Sequence, residues 1–166
     1  NQIATCAHVL PSLDPAEKAT LVVAIPGGET TRIVEARLQH INREADVAVL
    51  RIDGPALSPL TLSSAALPAE GADIILIGFP IGAALGLFPA THRGLVAAIA
   101  PMALPSGNAA QLQAQNVQRL RGTPIDILQL DATAYPGNSG SPVIELATGN
   151  VVGMVSMVLV KGAREN

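Results

Sequence analysis

Three short segments carry side chains that could act together on a carbonyl carbon. ATCAHV contains His8, ADVAVLRI begins with Asp46 close to its start, and YPGNSGSPV sets Ser139 in a glycine-rich turn. A serine hydroxyl is a poor nucleophile at neutral pH. It needs a base within hydrogen-bond reach, and that base needs a group to orient it. Histidine can be the base and a carboxylate the orienter. Glycines beside the serine let the backbone turn sharply, so that its N–H groups can face a developing oxyanion. The chemistry such a set performs is nucleophilic acyl transfer.

Other residues compete for these roles. Asp14, Asp53, Asp73, Asp126 and Asp131 are alternatives to Asp46, which lies at the start of the apolar run VAVLRI. Asp53 reads as a turn residue beside Gly54 and Pro55, and Asp131 as support for the serine loop. His40 reads as a structural residue of a polar alternating strand, and His92 as a structural residue in a turn before Arg93. No HExxH or other ligand spacing links the histidines, so neither a metal nor a cofactor is expected. Cys6 reads as a small buried hydrophobe. Tyr135 either flanks a substrate or simply packs, and Arg119 and Arg121 read as part of a solvated loop.

The elements that must position these groups are strands. The 166-residue chain is 49% hydrophobic but only 2% aromatic, so its core must come from Ala, Val, Leu and Ile. That length suits one domain with a real core. Charged residues are 14% and the net charge is −3, which leaves no basic excess for phosphates and argues against nucleic acid as a partner. A single cysteine excludes an intrachain disulfide framework and a Cys-based zinc cluster. β-Branched or alternating runs ended by Gly and Pro mark ATLVVAIPGG, TRIVEARLQHI, ADVAVLRID, ADIILIGF, RGLVAAIA, IDILQLDA, SPVIEL and NVVGMVSMVLV as strands. Many short strands with such turns predict an all-β sandwich or barrel. Residues 74–91 carry no charge, but Pro80, Pro89 and three glycines interrupt them, so a strand and loop are expected there rather than a membrane span. SGNAAQLQAQNVQRLRG, from Ser106 to Gly122, reads as an exposed loop or short helix, and Pro55 to Pro68 as a linker.

The order His, Asp, Ser resembles that of chymotrypsin-like serine proteases. ATCAHV is similar to the segment around that family's histidine, and ADVAVLRID to the strand after its aspartate. LQLDATAYPGNSGSPVIELATGNVVGMVS is similar to the serine segment of the bacterial HtrA-type members. GFPIG and RGLVAAI also have counterparts there. Ser141 stands where many relatives have a second glycine.

The resemblance implies a chymotrypsin-like double β-barrel, all-β, expected to be incomplete at both ends in this chain. It is expected as one protease domain over 1–166, with about 1–58 in the N-terminal barrel and 59–166 in the C-terminal one. It implies His8 as general base, Asp46 as its orienter and Ser139 as nucleophile. Gly137, Asn138 and Ser139 would form the oxyanion hole. Thr133 falls where trypsin has the aspartate that binds Lys or Arg, so cleavage after a basic residue is not expected. Met154, Val155, Ser156 and Met157 fall on the expected pocket wall, which is mostly apolar and implies a small or medium apolar residue on the acyl side. The implied activity is a serine endopeptidase acting on protein or peptide. The alternative is a catalytically silent or latent domain of the same fold that binds peptides or regulates. A hydrolase-fold esterase is disfavoured, because its order is Ser, Asp, His. Further domains or a regulatory partner are expected in a full-length protein, and both an exported (periplasmic) setting and a cytoplasmic effector module fit.

Overall fold

The computed structural model describes residues 1–11, 20–27, 30–64, 67–80, 88–101 and 125–156. The Ser106–Gly122 segment, with Arg119 and Arg121, lies outside them, as do Asp14 and Met157.

Period-2 patterning produces two antiparallel sheets. In β4 (Val47–Ile52) the side chains of Ala48, Leu50 and Ile52 are buried while their neighbours are not, as strand geometry requires. The same alternation in β5 (Asp73–Gly78) turns Ile74, Leu76 and Gly78 inward. The first sheet has the order β1-β4-β3-β2, with β1 at Gln2–Thr5, β2 at Leu21–Gly27 and β3 at Thr30–Asn42. β2 sits at its edge, where a proline is tolerated, and Pro26 lies near its end opposite Thr31. A bulge between Leu38 and His40 irregularly offsets the long β3 against β4. The second sheet has the order β7-β6-β5-β8-β9, with β6 at Ala90–Pro101, β7 at Asp126–Ala132, β8 at Pro142–Glu145 and β9 at Val151–Met154. Both sheets curl into half-barrels, giving a chymotrypsin-like double β-barrel.

Each half has its own aliphatic core. Ala36, Leu50 and Ile52 centre the first; Ile74, Leu76, Val96, Val143 and Val155 centre the second. Burying a side chain such as Ile74 or Leu76 completely contributes about 1.5–3 kcal/mol. Two of the aromatics lie outside, Phe88 at 76% and Tyr135 at 44% exposed, and Phe79 is half-buried.

One strand is additional to those expected, and two expectations need adjustment. Gln2–Thr5 forms β1, although its four residues carry too short a pattern to announce a strand. His92 lies within β6 opposite Leu76, not in a turn, because pairing with β5 carries the strand back to Ala90. Within the Pro55–Pro68 stretch, of which residues 65–66 lie outside the described residues, Leu62 makes a parallel bridge to Val151. Among the described residues no helix is long and apolar enough to cross a membrane.

Candidate active site

β1 and β4 bring the first two residues together. They pair antiparallel with Thr5 opposite Ala48, so the chain leaving β1 runs beside the chain entering β4. The register continues two residues beyond the ladder, where the Ala7 N–H donates to the Asp46 carbonyl at 3.1 Å. A 3-10 turn at Ala7–Val9 then swings His8 around. Asp46 has φ of 53°, a left-handed conformation that aspartate tolerates better than most residues. Its carboxylate faces His8 twice. Oδ2 lies 2.7 Å from the ring Nδ1, and Oδ1 accepts the His8 backbone N–H at 2.9 Å.

The serine arrives from the other half, on the loop between β7 and β8. Gly137 and Gly140 have φ of 99° and 87°, which lets the chain double back on either side of Ser139. Its hydroxyl lies 3.0 Å from His8 Nε2. The structure therefore brings His8, Asp46 and Ser139 into one continuous hydrogen-bonded line. Around the turn, Asn138 N–H donates to Tyr135, Gly140 N–H to Val155 and Ser141 N–H to Asn138. Among the described residues, the N–H groups of Gly137 and Ser139 are left without a protein acceptor.

Residues 155 and 156 tie the two halves to each other. The Val155 carbonyl accepts both the Gly140 N–H at 2.8 Å and the Cys6 thiol at 3.1 Å. The Ser156 hydroxyl donates to Asp46 Oδ2. Burial pushes the Asp46 carboxyl up, but the hydrogen bonds from Ser156 and His8 outweigh it and hold the group below its usual value. Burial, with the Asp46 charge adding to it, pushes the Cys6 thiol up to about 11.

The sequence does not reveal how these supports are arranged. Ser156, expected in the pocket wall, has its hydroxyl on Asp46. Val155 packs its side chain into the second core, 7% exposed, because strand alternation turns it inward. Met154 ends β9 opposite Pro142, Thr133 is exposed just beyond β7, and Met157 lies outside the described residues. Asn138 is fully buried, with neither carboxamide polar atom paired among the described residues. It packs against Gly78, where a Cβ would collide with Ser141 Oγ and lie 2.7 Å from Asn138 Oδ1. The GFP turn signal could have drawn attention to Gly78, but not to what it faces. Tyr135 leans on His92 with ring centroids 5.7 Å apart.

Comparison with known proteins places this geometry. The family described as "Trypsin-like peptidase domain" matches residues 1–154. Serine protease PepD of Mycobacterium tuberculosis is 30% identical over 120 residues, covering 72% of this chain and 23% of PepD. Serine protease HTRA1B of Danio rerio is 28% identical over 165 residues, covering 96% of this chain and 29% of the relative. The chain thus spans under a third of the length of these curated relatives. Among solved structures, the inactive form of the Rv3671c protease superposes with a TM-score of 0.66 at 22% identity. That match covers 93% of this chain and 66% of the other, and shows a shared fold.

Proposed function

The chain belongs to the trypsin-like peptidase domain family, and from that premise we propose that it is a serine endopeptidase working through His8, Asp46 and Ser139. The observation that carries the reading is the unbroken line from Asp46 Oδ2 to His8 Nδ1 at 2.7 Å and from His8 Nε2 to Ser139 Oγ at 3.0 Å.

In this reading Nε2 takes the Ser139 proton as Oγ attacks the scissile carbonyl. The carbonyl oxygen becomes an oxyanion, and the Gly137 and Ser139 N–H groups receive it. Their lack of a protein acceptor among the described residues supports that role. Asn138 shapes the turn. The imidazolium, steadied by Asp46, returns its proton to the leaving amine, and an acyl-enzyme remains. Water then attacks the ester, giving up a proton to His8, and the acid product leaves as Oγ is reprotonated.

Asp46 acts as a fixed anion here, which agrees with its lowered pKa. Thr133 offers no charge for a basic side chain, so the proposed preference is a small or medium apolar residue on the acyl side. We place the boundary between the barrels near residue 58. The strands of the first sheet fall within 2–52 and those of the second within 73–154. Protein or peptide substrates, and further domains or a regulatory partner, belong to the same proposal.

A fluorophosphonate probe tests the reading. It should label Ser139, and Ser139→Ala should abolish both labelling and cleavage of an unfolded protein substrate. A folded chain that neither labels nor cleaves would favour the silent, peptide-binding alternative.

A further inference from the structure

We propose that the base of this site doubles as a capture site for a thiophilic divalent cation of the zinc type, held by Cys6 Sγ, His8 Nδ1 and Asp46 Oδ2, and that capture switches the base off. The inhibitory half of the proposal rests on the peptidase reading above.

The ligand atoms of Cys6, His8 and Asp46 all lie within 4.8 Å of one another. Zinc holds sulfur at about 2.3 Å and nitrogen or oxygen at about 2.0–2.2 Å, which in a tetrahedron sets its ligands roughly 3.2–3.8 Å apart. Closing the gap therefore takes side-chain adjustment of about an ångström or less, not a rearranged backbone. The donor set of one thiolate, one imidazole and one carboxylate suits this class of cation, with water in the fourth place. A cluster of several cysteines is impossible in this chain, but a mixed site needs only one. A cation can approach from solvent on the His8 and Asp46 side, because those side chains are 47% and 21% exposed, while Cys6 is buried. Among the described residues, no Lys or Arg pairs with Asp46 and competes for its charge. Nor does the proposed acyl transfer give Cys6 any task. Its thiol donates to the Val155 carbonyl and interacts with the Asp46 carboxylate beside it.

The chemistry balances without a redox partner. Neutral His8 carries its proton on Nδ1, facing Asp46, and leaves Nε2 as the acceptor toward Ser139. A cation bound at Nδ1 displaces that proton, and the ring takes it up at Nε2. Nε2 becomes a donor and can no longer strip the Ser139 hydroxyl. The Cys6 thiol gives its proton to water as the sulfur–metal bond forms, so one proton is released for each cation bound.

Cobalt(II) added to the metal-free chain gives a readout independent of catalysis. Wild type should develop the near-ultraviolet thiolate-to-cobalt charge-transfer band and release one proton per cobalt, and Cys6→Ala should do neither. Zinc should suppress fluorophosphonate labelling of Ser139, and a chelator should restore it. With each protein normalised to its own metal-free rate, Cys6→Ala and Cys6→Ser should need about tenfold more zinc or beyond, the scale seen when a metal site loses a supporting group. The serine variant guards against a packing defect in the alanine one. Equal zinc sensitivity in wild type and both variants overturns the proposal, as does a labelled wild type with no cobalt band. A protein that never labels yet gives the band removes the peptidase reading and leaves the metal site standing.

Discussion

Asp46 grips His8 at two points, with Oδ2 2.7 Å from the ring Nδ1 and Oδ1 accepting the backbone N–H at 2.9 Å. One carboxylate thus fixes both the direction of the imidazole and the chain that carries it. Each bond alone leaves a freedom, ring rotation in one case and backbone drift in the other. Together they fix which nitrogen faces Ser139.

Asp46→Asn tests this grip. Asparagine tolerates the left-handed φ of 53° and can still accept the backbone N–H, so the fold should survive. Its amide, however, cannot accept from Nδ1 while holding the ring as the carboxylate does. Turnover should fall about 10⁴-fold, the scale for a triad locked in the wrong tautomer. Asp46→Ala should be less stable than Asp46→Asn by a further ~1 kcal/mol or more, because alanine pays for the left-handed backbone. Thermal melts of both variants beside steady-state kinetics separate the two effects.

Ser156 is a positioning residue in this arrangement, because its hydroxyl reaches Asp46 and not the reacting atoms. Ser156→Ala removes a hydrogen bond to a charged group, worth about 1.5–3 kcal/mol. The expected result is roughly a tenfold or larger fall in kcat with KM little changed. A rise in KM alone would return Ser156 to the pocket wall.

Gly78 sits where the serine loop presses on β5. A methyl there would overlap Ser141 Oγ and crowd Asn138 Oδ1 at 2.7 Å. Gly78→Ala should cost about 1–3 kcal/mol, the range for overpacking, and should slow fluorophosphonate labelling by displacing the turn. Gly149→Ala is the comparison. Its Cβ meets nothing within 4 Å, although its φ of 71° still carries strain. Melting temperature and labelling rate should fall together at Gly78, and only the first at Gly149.

The two shifted groups act at opposite ends of the pH scale. The folded Asp46 carboxyl lies below its ordinary 3.8. Its contribution to stability is complete above the unfolded value and is lost as pH falls through the lower folded one. The Cys6 thiol is raised from 9.0 to about 11, so the unfolded chain releases that proton first. The corresponding stability is complete below the unfolded value and drains away as pH rises toward 11. Urea melts of wild type and Cys6→Ala across pH 7 to about 10.5 should show wild type losing stability relative to the variant above the ordinary thiol range.

Specificity gives a further check. A peptide library should be cut after small or medium apolar residues in preference to Arg or Lys. Thr133→Asp should raise the Arg-to-Ala ratio of kcat/KM by about tenfold, from one charge-assisted contact.

Much of this was legible beforehand because it is local. Alternation in VAVLRI and IILIG wrote β4 and β5 into the chain, and the glycines of GNSG required a tight turn. β1 was not legible, since Gln2–Thr5 is a strand only because β4 offers it a ladder. His92 read as a turn residue until its pairing with Leu76 drew it into β6. Val155 and Ser156 looked like one wall, yet successive side chains on an extended segment face opposite ways. One entered the core and the other found Asp46.

The sequence alone determined the residue types, their order and the strands that carry them, because those follow from chemistry and period within a few residues. Tertiary structure decided the distances. Only the pairing of β1 with β4, and the clasp of Val155 on Gly140 and Cys6, set how far His8 stands from Ser139 and what lies behind Asp46. The Cys6–Val155 bond and the His8–Ser139 approach join residues more than a hundred positions apart in the chain. No local pattern encodes such a separation, because it is the packing of two half-barrels that fixes it.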